Sequence, residues 1–196
     1  MRTGRPKLPS TPVSRLDATH SVLRLTYKQQ QLSCFIDTTD TALVAGYHWH
    51  AHPDNNTFYA RANVWRAGKR TGINMHNLIL GIQGIDHRDL NGLNNCRENL
   101  RPASSTQQVY HRGKLKSQHK LESKYIGITR QLSGNWYARI TVDGKRLAVG
   151  TFASETDAAR ARDAAAIKYH GEFAVLNFPS EKPRFPVFLG IRNENE

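Results

Sequence analysis

The sequence predicts an α+β protein made of two small units, and three features carry that reading. Between Ser21 and about Ala62, apolar residues alternate with polar ones at the period of short strands. Asp143-Gly144 sits between two further alternating runs, a strong hairpin turn, and an alanine-rich helix follows. Between these halves, Lys114 to Lys124 is basic and polar with little to bury, which reads as a linker able to lie along a phosphate backbone. The expected divisions are a flexible basic arm over 1–17, a first domain over 18–113, a basic linker over 114–122, a second domain over 123–179 and a tail over 180–196.

Taken in order, Pro6, Pro9 and Pro12 among small and basic residues predict a disordered arm. Strands are expected at Val22 to Tyr27, Leu32 to Ile36 and Phe58 to Val64. Thr39 to Ala45 reads as a short helix opened by a Thr/Asp cap, and Met75 to Leu80 is a short apolar stretch ended by Gly81. Asp86 to Arg101 is polar and asparagine-rich, which core packing does not explain. Ser104 or Ser105 opens another helix, with Gln107 or Gln108 at its third position. In the second half, Lys124 to Gln131, Trp136 to Val142 and Arg146 to Thr151 predict three antiparallel strands. A helix over Ser154 to His170 follows, with Ser154 and Asp157 in a capping-box arrangement and Gly171 as its stop.

The 196 residues carry 28 Lys and Arg against 16 Asp and Glu, a net charge of +12. Such self-repulsion is relieved by a polyanion, and nucleic acid is the usual one. No apolar run reaches membrane-spanning length and no signal-peptide core follows Met1, so a cytoplasmic protein without a membrane partner is expected. Cys34 and Cys96 form no CxxC pair, so neither a structural zinc nor a disulfide framework is expected.

Asp86, His87, Asn91, Asn94, Asn95 and Asn99 form the chemically suggestive cluster. Carboxylate and carboxamide oxygens suit Mg²⁺ or Mn²⁺, and a neutral His takes a proton near pH 7. Consecutive strand residues point to opposite faces, so Asp86 and His87 could converge only at a strand end or bend. Met75-His76-Asn77-Leu78-Ile79-Leu80-Gly81, Ile85-Asp86-His87 and Asn94-Asn95-Cys96-Arg97-Glu98-Asn99-Leu100-Arg101 together resemble the HNH endonucleases of the homing type, over roughly Ser21 to Arg112. The resemblance implies an N-terminal ββα-metal domain around one divalent ion, Mg²⁺ or alternatively Mn²⁺. In it Asp86 would ligate the metal, His87 would be the general base, and Asn99 would orient His87 or fix the hairpin. Gln108 stands where the family places a second His or Asn ligand, with His111 as a substitute. Arg97 and Arg101 are candidate phosphate clamps. For His76 a structural role, or one supporting a ligand from behind, is expected rather than ligation itself.

Tyr125-Ile126-Gly127-Ile128, Gly134-Asn135-Trp136, Gly150-Thr151-Phe152, Ala158-Ala159-Arg160-Ala161 and Asn177-Phe178-Pro179 resemble the AP2/ERF DNA-binding domain over about Lys124 to Pro179. The resemblance implies a three-stranded sheet laid into the major groove and backed by one helix. Strand parity places Trp136, Ala138, Ile140, Val142, Leu147 and Val149 toward that helix. It leaves Tyr137, Arg139, Thr141, Arg146 and Ala148 on the other face, with Arg130 and Lys145 at strand ends. Ile126, Thr129, Gln131, Ser133, Thr141 and Ala148 replace arginines and tryptophans of the plant-type pattern, so the target sequence does not carry over.

The reading that follows is a monomeric HNH-type DNA endonuclease, hydrolysing phosphodiester bonds of double-stranded DNA with a divalent metal and no small-molecule cofactor. Its setting would be a prokaryotic or phage-infected cell. The alternative is a non-catalytic sequence-specific DNA-binding protein or transcription regulator that retains an HNH fold. An RNA binder ranks third, since no RNA-recognition motif is present.

Overall fold

A computed structural model describes residues 9–54, 57–112, 123–180 and 192–193. The expected linker 114–122, the first eight residues of the arm and most of the tail lie outside the described residues. The chain divides into two compact units, Met1–Ala103 and Ser104–Glu196, and the α+β class with antiparallel sheets is what the structure shows.

The first unit starts with β1 (Val13–Arg15), β2 (His20–Tyr27) and β3 (Gln30–Asp37), an antiparallel sheet in that order. The register sets Ser21 opposite Ile36, Leu23 opposite Cys34 and Leu25 opposite Leu32. Period two then sends Leu23, Leu25, Cys34 and Ile36 to one side, where all four are fully buried. A 3-10 turn at Thr38–Asp40 runs into α1 (Thr41–Val44), which has no side-chain cap bond. The expected Thr/Asp-capped helix is therefore a 3-10 turn plus one α turn.

A second antiparallel sheet consists of β4 (Trp49–Asp54), β5 (Thr57–Arg66) and β6 (Lys69–Asn74). On its buried face Ala51 pairs with Ala60, and the bulky Trp49 lies opposite the small Ala62. Next, α2 (Met75–Leu80) buries Met75 and Ile79, one turn apart, and ends at Gly81 in the left-handed conformation. Last come β7 (Ile85–His87) and β8 (Leu100–Pro102), a two-stranded pair. The asparagine-rich loop between them is hung on β3 by Phe35 N–H donating to Leu93 O (2.9 Å) and Asn95 N–H donating to Phe35 O (2.8 Å).

Val13–Arg15 lies in the segment expected to be a flexible arm, yet it pairs with β2 over three residues. Thr11 anchors it: its backbone N–H donates to Tyr47 O, and its hydroxyl accepts from Trp49 N–H (2.7 Å).

The second unit holds α3 (Ser105–Tyr110), β9 (Ile128–Arg130), β10 (Trp136–Val142), β11 (Lys145–Phe152) and α4 (Glu155–His170). Asp143 and Gly144 both adopt positive φ (49° and 78°), the signature of a two-residue primed turn between β10 and β11. A register shift between Ala138 and Arg139 marks a bulge, which sharpens the local twist. The tail returns as β12 (Arg192–Asn193) beside Leu147 and Ala148, so the expected three-stranded sheet gains a fourth, two-residue strand.

Ser154 caps α4 by accepting from Asp157 N–H, and Gly171 follows its last residue. Ala158, Ala159, Ala165 and Ala166 form a buried stripe against Ile128, Ala138, Ile140 and Val149. Methyl-sized side chains let the helix backbone come close to the sheet. Behind them, buried Asp163 accepts from Asn177 Nδ2 (3.0 Å) and from Phe178 N–H (2.9 Å), and Asn177 Oδ1 accepts from Ile126 N–H (2.7 Å). This is why Asn177-Phe178-Pro179 closes the unit.

Gly127 has φ of 73°, and a Cβ there would lie 2.5 Å from Arg139 O. Gly144 has a similar φ of 78° but open space around it. Gly127→Ala is therefore expected to lower stability in urea denaturation by more than Gly144→Ala, whose cost is limited to strain of about 1 kcal/mol.

Candidate nucleic-acid interface

Because β10 alternates, its two faces separate cleanly. Ala138 and Ile140 are buried against α4, with Trp136 and Val142 partly buried beside them. Tyr137, Arg139 and Thr141 occupy the other face, where the register sets Arg139 opposite Ala148 and Thr141 opposite Arg146. Lys145 begins β11 next to the turn, and Arg130 ends β9, its guanidinium 5.6 Å from the Trp136 ring centroid. Arg130, Thr141, Lys145 and Arg146 are exposed, while Tyr137 and Arg139 are half-buried. Among the described residues, Arg139, Lys145 and Arg146 make no ion pair. The result is a cationic face, rigidly backed and not neutralised from within.

The turn beside this face is pinned by a contact the sequence did not suggest. Tyr110, the last residue of α3, donates its hydroxyl to Asp143 Oδ1 (2.6 Å) and accepts from Asp143 N–H (2.9 Å). Its ring stacks on His170 with centroids 3.9 Å apart and planes 9° from parallel. His170 Nε2 lies 2.9 Å from Thr141 O, and burial pushes this imidazole below its ordinary pKa. The Tyr110 phenol is shifted up by desolvation and by its bond to Asp143. Ser104 and Gln107 form the capping box that opens α3, which settles the choice between the two serines and leaves Gln108 out of the cap.

In the first unit the Asp86-His87 pair does not bend. Asp86 sits directly opposite Arg101, and His87 opposite Leu100. Both Nε and Nη2 of Arg101 lie 2.8 Å from Asp86 Oδ2, an ion pair with side chains only 6% and 10% exposed. His87 is buried, with Nε2 3.3 Å from Asn95 Oδ1. Asn99 donates from Nδ2 to Asp89 Oδ1 (2.9 Å) and Asn94 O (2.8 Å), and its Oδ1 accepts from Asp89 N–H (3.0 Å). These are loop-fixing bonds. Arg97, like Arg101 a candidate phosphate clamp, grips Asp40 through Nε (2.9 Å) and Nη2 (2.6 Å) and donates to Ile79 O. Gln108 and His111 belong to the second unit, whereas Asp86, His87 and Asn99 belong to the first.

His76 rests edge-on against His87 (5.0 Å) and Tyr59 (5.5 Å). Burial, with a smaller contribution from His87, pushes its pKa down to about 3, so it is neutral at physiological pH. Cys34 is forced the other way, up to about 12, chiefly by desolvation.

A helix-backed antiparallel sheet with a basic outer face is a candidate surface for nucleic acid. The relatives give this class a name. Over 57 residues, 29% of the chain, it is 46% identical to an AP2/ERF and B3 domain-containing protein of Oryza sativa subsp. japonica, covering 16% of that protein. It is 51% identical over 68 residues, 33% of the chain, to an AP2-like ethylene-responsive transcription factor of Arabidopsis thaliana, covering 11% of it. Over 60 residues, 31% of the chain, it is 42% identical to an AP2/ERF and B3 domain-containing transcription factor of the same plant, covering 17% of it. Part of the chain is thus homologous to AP2/ERF domains, and the chain spans well under a fifth of each of these relatives. No family profile and no solved structure matches.

These relatives correct the expected function. They are transcription factors rather than nucleases, which overturns the expected HNH endonuclease and its enzyme class. They are also plant proteins, which overturns the expected cytoplasmic setting in a prokaryotic or phage-infected cell. Asp86, the expected metal ligand, is ion-paired with Arg101.

Two outcomes follow. Arg101→Met leaves Asp86 buried without its cation and is expected to destabilise the first unit by about 3–5 kcal/mol in denaturant titration, most of which the Asp86→Leu/Arg101→Met double variant restores. For His76, the unfolded chain binds a proton near the ordinary value of 6.5 and the folded chain only near 3. Its stabilising contribution is therefore complete above about pH 6.5 and is lost as pH falls toward 3. Urea midpoints should drop between pH 7.5 and pH 5, and less steeply in His76→Phe.

Proposed function

We propose that this protein is a non-catalytic, sequence-specific binder of double-stranded DNA that regulates transcription. The observation that carries the reading is the unpaired basic face of β9, β10 and β11, in a chain partly homologous to plant transcription factors. The major groove admits a β-ribbon, and a right-twisted sheet follows its curvature. Arg139 and Arg146 carry planar forks suited to the O6 and N7 edge of guanine, and Thr141 and Ala148 suit a thymine methyl. Lys145 and Arg130, at strand ends, suit flanking phosphates, which fix register without reading sequence.

In this reading the Asp86-His87 hairpin of the first unit is a structural element, closed by its own ion pair. A nuclear setting accords with the transcription-factor relatives from rice and Arabidopsis.

Selection from a random duplex pool, followed by gel-shift titration, tests the proposal. Arg139→Ala and Arg146→Ala should each weaken binding to the selected site by about 1–3 kcal/mol and relax preference at one position. Lys145→Ala should weaken all sequences alike and reduce the salt slope by about 1. Added Mg²⁺ or Mn²⁺ should leave the bound duplex intact. Metal-dependent strand scission that disappears in His87→Ala would overturn the non-catalytic reading, and unchanged binding by both arginine variants would overturn the interface.

A further inference from the structure

We propose that His20, Asp37 and Cys96 form a binding site for a thiophilic divalent cation, of which Zn²⁺ is the fitting example. One ligating atom from each residue lies within 4.8 Å of the other two, and among the described residues no other group of three or more His, Cys, Asp or Glu side chains meets that condition. Two of the three come from one sheet, since His20 and Asp37 are direct cross-strand partners on β2 and β3. Cys96 arrives from the asparagine-rich loop, which the Phe35–Asn94 bridge holds against β3.

The surroundings of the three side chains resemble a prepared site. Asp17 Oδ2 lies 3.1 Å from His20 Nδ1, and Thr19 Oγ1 lies 2.9 Å from the same nitrogen. A carboxylate on one imidazole nitrogen fixes the ring and leaves the lone pair on the other, as in histidines that hold metals. Asp37 Oδ2 accepts from Arg97 N–H (2.8 Å), which orients the second ligand.

Thiolate, imidazole and carboxylate together suit Zn²⁺ better than Mg²⁺ or Ca²⁺, which take oxygen donors. Three protein ligands leave the fourth tetrahedral position to water. On binding, Cys96 gives its thiol proton to bulk solvent, its sulfur lone pair goes to the cation, and coordinated waters are released. No electron transfer is involved. The consequence is mechanical, since a cation here staples the loop carrying Asn94, Asn95 and Asn99 to the β2–β3 hairpin.

The test uses the full chain stripped with a chelator and titrated with Co²⁺, then with Zn²⁺. The expected result is one Co²⁺ per chain with a thiolate-to-cobalt charge-transfer band, displaced by Zn²⁺, and one proton released per cation at neutral pH. Cys96→Ser should abolish the band. Because Cys96 is buried, the partly exposed His20→Gln and Asp37→Asn provide the independent arm, each weakening Zn²⁺ binding by about tenfold or more. Absence of a thiolate band in the wild type, or wild-type Zn²⁺ affinity in both His20→Gln and Asp37→Asn, overturns the proposal. DNA binding by the second unit is measured separately, so either conclusion stands or falls without the other.

Discussion

Two consecutive residues of an extended strand face opposite sides, and that constraint organises both units. On β7 it separates Asp86 from His87: the carboxylate meets Arg101 across the pair, and the imidazole turns into a buried cluster with His76 and Tyr59. On β10 it separates Ala138 and Ile140, which meet the alanines of α4, from Arg139 and Thr141, which do not. The same rule thus dismantles one constellation and assembles another. Only a bulge or bend could have changed the outcome on β7, and the bulge occurs on β10 instead.

The distribution of cations follows. Net charge alone treats all arginines as equal, but Arg97 and Arg101 answer to Asp40 and Asp86, and Arg162 lies buried beside Asp163. Arg101 and Arg162 are buried, and Arg97 clasps buried Asp40 from an exposed position. Arg139 and Arg146, which strand geometry leaves on an outer face, are without an ion pair among the described residues, which is why the proposed interface rests on them.

The sequence was most legible where one side of an element is core and the other is water. Strands β2, β3, β5, β10 and β11 have that character and alternate accordingly, whereas helix α4, which buries Arg162 to Ala166 in a row, is legible through its Ser154 cap, its alanines and Gly171. Strand β6, with Lys69, Arg70 and Thr71, buries nothing fully and shows no apolar period. Strand β4 interleaves His50, His52 and Pro53 with its buried Trp49 and Ala51, which hides it equally well. The outer face of β10 and β11 could be read by parity because the turn between them is so strongly marked. The partners of Asp86 and Arg97 could not, since they depend on register and on a residue 57 positions away. His20, Asp37 and Cys96 are likewise scattered in sequence, so no spacing rule would have grouped them.

The stacking of Tyr110 on His170 has an implication for where the second unit begins. That ring precedes residues 113–122, yet it holds the turn next to Lys145 and Arg146. The second unit therefore includes α3, ahead of those positions, and Tyr110 ties that helix to the tip of the β10–β11 hairpin. The turn that carries Asp143 and Gly144 is thus held from outside its own sheet, and loss of the Tyr110 hydroxyl would release the hairpin tip together with the end of α3.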